Sequence, residues 1–159
     1  FIERFRIGKW RRTGILWWNL VDGWPQVSDA IVDWYYTKKI AYHYIKRSQA
    51  PVCFMFDEPD EKGLLRLVGV NDLAEEKSVA YTVKDVLNGK TVLTGNAKIK
   101  ADSSQTVAFL PAESGMHFYL IEWQGDESGR NHYTAGMPDI DYKTYLKAIE
   151  TCGMAQFEN

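Results

Sequence analysis

The chain has 159 residues, 45% hydrophobic and 25% charged, with 19 basic against 21 acidic side chains. The formal charge of -2 gives no basic field for a phosphate backbone, so nucleic-acid binding is not expected. No apolar run reaches the roughly 20 residues that span a bilayer, which excludes a transmembrane helix and argues against a membrane partner.

Phe1 to Arg6 reads as the end of an amphipathic helix, with Phe1, Ile2 and Phe5 on one face and Gly8 as its stop. Gly14 to Val21 is almost continuously apolar, as expected of a parallel strand covered on both faces. Asp22-Gly23-Trp24-Pro25-Gln26 then forms a loop at the strand's C-terminal end, because Gly and Pro end regular structure. A helix follows, with Ser28 or Asp33 as N-cap (Asp33 preferred), running through Tyr36, Ile40, Tyr44 and Arg47 and stopping before Pro51. Strand, loop and helix in this order are the grammar of a parallel α/β unit. These residues cannot bury their own apolar faces, which would pack on missing strands, on the rest of the chain or on a second copy in a homo-oligomer.

From Pro51 the hydrophobic period becomes two. Val52–Phe56, Leu64–Asn71, Lys77–Val86, Lys90–Thr94, Ala97–Ala101, Gln105–Leu110 and His117–Trp123 read as strands. Asn88-Gly89 is the strongest hairpin signal between them, and Asp102-Ser103-Ser104 a second turn. About seven short strands with frequent turns predict a mainly β fold, an immunoglobulin-like β-sandwich. A short helix from about Asp141 to Glu150 closes the chain. Cys53 and Cys152 read as free buried thiols, since one pair is no disulfide scaffold. The start at Phe1 and the five tryptophans within the first 34 residues suggest a piece of a longer polypeptide.

Chemistry concentrates at the strand's C-terminal end, where parallel sheets and barrels carry their sites. Trp17, Trp18, Asn19, Asp22 and Trp24 combine flat indole faces, suited to the C–H face of a pyranose, with groups that hydrogen-bond hydroxyls. Trp17 and Trp18 alternate, so one of them points away from the axis. The acidic run Asp57, Glu58, Asp60 and Glu61 reads as a solvated loop, without the ordered oxygen spacing of a calcium cage. His43, His117 and His132 lack metal-ligand spacing, so neither a metal nor a cofactor is expected. No catalytic constellation is complete. A binding module would show exposed rings on one sheet face, with Tyr81, Phe118, Tyr119 and Trp123 as candidates, although strand alternation favours core roles for most of them.

The string Gly14-Ile15-Leu16-Trp17-Trp18-Asn19-Leu20-Val21-Asp22-Gly23-Trp24-Pro25 resembles the eighth barrel strand of family-two glycoside hydrolases, in which Trp, then Asn, Gln or Asp, then two residues, then Asp recur. Trp18, Asn19 and Asp22 match that pattern. Trp24-Pro25 and Ala41-Tyr42-His43-Tyr44 are most similar to the β-mannosidase-like branch. Asn71-Asp72-Leu73, Asn88-Gly89 and Asn131-His132-Tyr133 resemble the sandwich and tail that follow the barrel there. The resemblance implies that residues 1–49 are the last βα unit, a strand–helix remnant, of a (β/α)8 barrel. Residues 51–134 would then be the sandwich and 135–159 a helical tail. It implies that Trp18 stacks on the sugar, with Asn19, Asp22 and Trp24 as further substrate-binding residues. The expected partners are the parent's carbohydrate substrate and the remainder of its chain; the compartment stays open, with the periplasm or extracellular space as candidates for the parent. Retaining members use two glutamates on barrel strands, roughly 5 Å apart. This chain has no Asn-Glu pair and no glutamate between Glu3 and Glu58, so it carries no catalytic residue and should be inactive alone. The function expected is therefore that of a non-catalytic C-terminal part of an exo-acting retaining β-glycosidase, with a carbohydrate-binding or structural sandwich as the alternative.

Overall fold

Seven strands and three helices organise the chain in a computed structural model that describes residues 1–136 and 139–154. The strands are β1 (Val52–Phe56), β2 (Leu64–Asn71), β3 (Lys77–Asp85), β4 (Lys90–Ile99), β5 (Ser103–Pro111), β6 (His117–Gly125) and β7 (Gly129–Ala135). The helices are α1 (Ile2–Ile7), α2 (Ile40–Ser48) and α3 (Tyr142–Thr151). All strand pairings are antiparallel, in a three-stranded sheet of order β1-β2-β5 and a four-stranded sheet of order β4-β3-β6-β7. The mainly β, sandwich-type fold expected from the period of two is what forms, and α3 follows it.

The alternation of β3 shows how the sequence dictates the layers. Val79, Tyr81, Val83 and Asp85 turn inward while Ser78, Ala80, Thr82 and Lys84 face out. Inward residues of both sheets interlock around Phe54, whose ring stacks on Tyr81 (centroids 5.6 Å apart) and tilts against Trp123 (5.5 Å). β1 is buried along its whole length, with Ile7 and Ala50 packed against the same core. The first half of β6 is also buried on both faces. Phe118 and Leu120 lie outside the main core, in a second cluster with Ala148, Ile149 and Cys152 of the α3 end.

Two polar anchors join the helices to the sandwich. Asp72, in the β2–β3 turn, pairs with Arg6 at 2.8 Å and Lys9 at 2.7 Å, while Arg6 also donates to the Ser48 carbonyl at 2.6 Å. Asn131 of β7 donates to Glu3 (2.7 Å) and to the Phe54 carbonyl (3.1 Å), tying α1 to both sheets. Asn71 is fully buried and braces the turn, donating to the carbonyls of Glu75 and Ile99 and accepting from the Leu73 N–H. The Asn71-Asp72-Leu73 string is thus a structural brace.

Four expectations need correction. The strand predicted over 14–21 does not form a ladder: only Val21 bridges, in parallel, to Val32. An extended segment becomes a strand when neighbours accept its N–H groups and donate to its carbonyls, and among the described residues no backbone bonds to 14–19 in that way. The second helix starts after Lys39 rather than at Asp33, whose Oδ1 accepts from the Tyr35 and Thr37 N–H groups (both 2.8 Å) and closes a turn. Lys90–Thr94 and Ala97–Ala101 are one strand, β4. The Asn131-His132-Tyr133 segment, outside every predicted strand, lies within β7. The Asn88-Gly89 hairpin joins β3 to β4 as expected, with Gly89 at φ 68°. Asp141 caps α3 by accepting from the Lys143 and Thr144 N–H groups. The tail predicted over 135–159 lies partly outside the described residues. Both cysteines are free and buried, and burial pushes the Cys53 thiol up to about 12.

Candidate functional site

The segment between α1 and α2 carries the residues singled out by sequence. Three backbone bonds tie its parts together: Asp22 N–H to Val32 O, Val32 N–H to Leu20 O and Lys39 N–H to Ile31 O, each 3.0 Å. These fasten 20–22 and 31–39 together; before Leu20 the chain joins no ladder and bends at Trp18. Leu16, Trp18 and Leu20, spaced by two, are all exposed, Trp18 at 79%. Trp24 is exposed at 64%. Asn19 takes a left-handed φ of 71°, a region that asparagine tolerates better than most residues. Trp18, Asn19 and Trp24 therefore remain available to a ligand.

Asp22 does not. Its carboxylate is buried and both oxygens are engaged: Oδ2 accepts from Lys39 Nζ at 2.7 Å and Oδ1 accepts from the Ser28 hydroxyl. Lys39 Nζ also donates to the Ser28 carbonyl at 3.1 Å. The Lys39 and Ser28 hydrogen bonds hold the Asp22 carboxyl below the usual carboxylate range against the opposing effect of burial. Asp22 thus joins the end of the Trp18 segment to Lys39, the residue that precedes α2. It fixes the loop from beneath. Lys39 was not singled out by sequence; its partner lies 17 residues away, and only a basic residue just ahead of the helix hinted at it.

This arrangement makes a direct prediction. Lys39→Met removes the cation facing a buried carboxylate and should open the Val21–Lys39 loop. Limited chymotrypsin digestion should then cut within 17–36 faster than in the unmodified protein, while α3 and the strands stay protected. Equal cleavage rates would show that the ion pair does not hold the loop.

The other sequence candidates fall into supporting roles. Tyr81, Phe118, Tyr119 and Trp123 are all buried, so the sheet faces show no platform made of these rings. His117 forms a buried pair with Asp85 at 2.8 Å, with its other ring nitrogen 3.2 Å from the Ser114 carbonyl. Among the described residues no group of three His, Cys, Asp or Glu is arranged to hold a metal ion, and no helix is long and apolar enough to cross a membrane.

No family model and no curated protein matches the sequence. Solved structures do. The chain is similar to the β-D-mannosidase of Dictyoglomus thermophilum, with 25% identity and a TM-score of 0.69, over 85% of this chain and 18% of that one. It is also similar in fold to the Amycolatopsis orientalis exo-chitosanase CsxA, with 19% identity and a TM-score of 0.61, over 79% of this chain and 16% of that one. The chain spans less than a fifth of the length of either protein. Both are family-two glycoside hydrolases, and the likeness to them over most of this chain agrees with the resemblance read from the sequence: the fold is consistent with a C-terminal fragment of such an enzyme.

Proposed function

We propose that this chain is the non-catalytic C-terminal part of an exo-acting, retaining β-glycosidase. Its segment 1–49 completes a barrel, and its sandwich, of immunoglobulin-like type, supports that barrel from outside. Trp18 offers its exposed indole to the C–H face of the terminal sugar. Asn19 and Trp24 flank it, and Asp22 holds the loop in place from below.

The observation that carries this reading is the unladdered 14–19 stretch, in which Leu16, Trp17 and Trp18 are exposed together with the Leu20 that follows. Apolar residues awaiting a covering neighbour have that appearance, and they coincide with the motif that resembles the last barrel strand. The likeness to a β-mannosidase and an exo-chitosanase supports a β-linked hexoside or hexosaminide as substrate class. The competing reading, a free-standing carbohydrate-binding sandwich built on Tyr81, Phe118, Tyr119 and Trp123, loses its platform because those rings lie inside.

The chemistry also sets a limit on the fragment. Double displacement needs an acid/base and a nucleophile across one glycosidic bond, and the 8–57 segment contains no glutamate. The purified chain should therefore release no 4-nitrophenol from 4-nitrophenyl β-D-mannoside or β-D-glucosaminide. Turnover that persists through purification and follows the chain's concentration would contradict the proposal.

A further inference from the structure

Trp34, Tyr35 and Tyr36 stand exposed at the tip of the 33–37 turn. The turn closes on itself: Asp33 N–H donates to the Thr37 carbonyl at 2.9 Å and Tyr36 N–H to the Asp33 carbonyl at 3.0 Å. Two bridges fix its direction. Val32 pairs with Val21 in parallel and with Lys38 antiparallel, so the chain leaving Val32 runs as the chain leaving Val21 does, and returns at Lys38. The tip therefore lies beyond the same end of Val21 as the Asp22-Gly23-Trp24 loop, and the Asp22–Lys39 ion pair ties that loop to the base of the turn. We propose that this turn holds the leaving-group side of the substrate, with the rings of Tyr35 and Tyr36 bearing the sugar beyond the scissile bond. The proposal rests on the reading of the Trp18 segment as the last barrel strand.

Two observations select these rings. The first is their place. Neighbouring strands of a barrel cover the flanks of 14–21, whereas the loops beyond the C-terminal strand ends surround the mouth through which substrate enters. The tip belongs with those loops, so completing the barrel leaves its rings at the entrance. An exo-acting enzyme holds the terminal sugar innermost, and the remainder of a longer substrate leaves through the mouth. Trp18 and Val21 are separated by at most about 11 Å of chain, which puts the turn further along that path and within reach of a short oligosaccharide. The second observation is strain. Tyr36 takes a left-handed φ of 65°, a region that glycine or asparagine enters far more readily than a bulky residue. Burial does not offset that cost, because Tyr36 is 78% exposed. Strain of this kind clusters at active sites and ligand clamps, and here it holds a ring out to solvent. Asp33 Oδ1 sustains it by accepting from the Tyr35 and Thr37 N–H groups on either side. Tyrosine suits a sugar: its ring face meets C–H groups, its hydroxyl meets theirs, and few bonds must be ordered.

The test uses an enzyme that joins this chain to its barrel. Its substrates are a β-linked trisaccharide of mannose or of glucosamine and the matching β-glycosyl fluoride, whose leaving group carries no sugar. Tyr36→Gly removes the ring and relieves the left-handed φ. It should lower kcat/KM about tenfold or more for the trisaccharide and less than about twofold for the fluoride. Tyr35→Ala should show the same preference. In the 159-residue chain alone, Tyr36→Gly should melt at or above the temperature of the parent. An equal fall for both substrates, or a lower melting temperature, would show that the ring packs against protein and would overturn the proposal. No fall for either substrate would overturn it as well. Trp18→Ala separates this from the reading beneath it, because it should lower kcat/KM for both substrates. If it does so while Tyr36→Gly and Tyr35→Ala show no preference, the turn is not the leaving-group side and the role of Trp18 stands. If none of the variants changes kcat/KM, both fail.

Discussion

Phe54→Ala should lower unfolding stability by about 3–5 kcal/mol, the usual cost of deleting a buried aromatic ring. Phe54 is 0% exposed and sits between the sheets, in ring contact with Tyr81 and Trp123. Its backbone carbonyl also accepts from Asn131, so the site is pinned from the main chain and cannot collapse readily into the void. A cavity there would therefore persist, and the loss should fall in the upper part of that range. Urea unfolding followed by tryptophan fluorescence measures it through the shift in midpoint at unchanged slope. A loss below about 1 kcal/mol would mean that the two sheets are not packed around this ring.

The His117–Asp85 pair should give stability a defined pH dependence. Burial opposes the charged form of His117, but the hydrogen bonds it donates to Asp85 and to the Ser114 carbonyl outweigh it and hold His117 above its ordinary value. Burial likewise pushes Asp85 up, and the His117 and Asn88 hydrogen bonds outweigh that and hold it low. A raised histidine contributes fully below its unfolded value, near 6.5, and its contribution is lost as pH rises through the folded value. A lowered aspartate contributes fully above its unfolded value, near 3.9, and loses that as pH falls through the folded value. The pair therefore contributes most between about pH 4 and 6.5. His117→Leu should cost about 2 kcal/mol near pH 5, where it removes a charge-assisted bond inside the fold. The gap between variant and parent should narrow above neutrality. Melting temperatures of both proteins across that range test it, and a gap that does not change with pH would contradict the pairing.

The sandwich was largely legible because a half-buried strand writes its burial as alternation, and β3 does so without a break. The two errors within it share one cause. Gly95 falls in the gap between the two predicted strands yet lies inside β4, where a Cβ would come within 2.7 Å of the Tyr81 hydroxyl. Gly129 opens β7, beyond the last predicted strand, and a Cβ there would come within 2.4 Å of the Trp123 ring. Both glycines make room for aromatic rings from a neighbouring strand, information that no local window contains. The 14–21 stretch failed for a different reason: its hydrophobicity is that of a strand, but pairing needs partners. At the candidate site, the exposed Trp18, Asn19 and Trp24 could be read from composition and spacing. The inward turn of Asp22 could not, since it depends on Lys39 folding back across the loop.

Kinetics in an enzyme that joins this chain to its barrel test the central claim most directly. Trp18→Ala should lower kcat/KM for 4-nitrophenyl β-D-mannoside by about tenfold or more, equivalent to at least ~1.4 kcal/mol of transition-state stabilisation. Trp17→Phe should leave kcat/KM nearly unchanged. Equal kcat/KM for Trp18→Ala and the parent would place that indole away from the substrate and contradict the account.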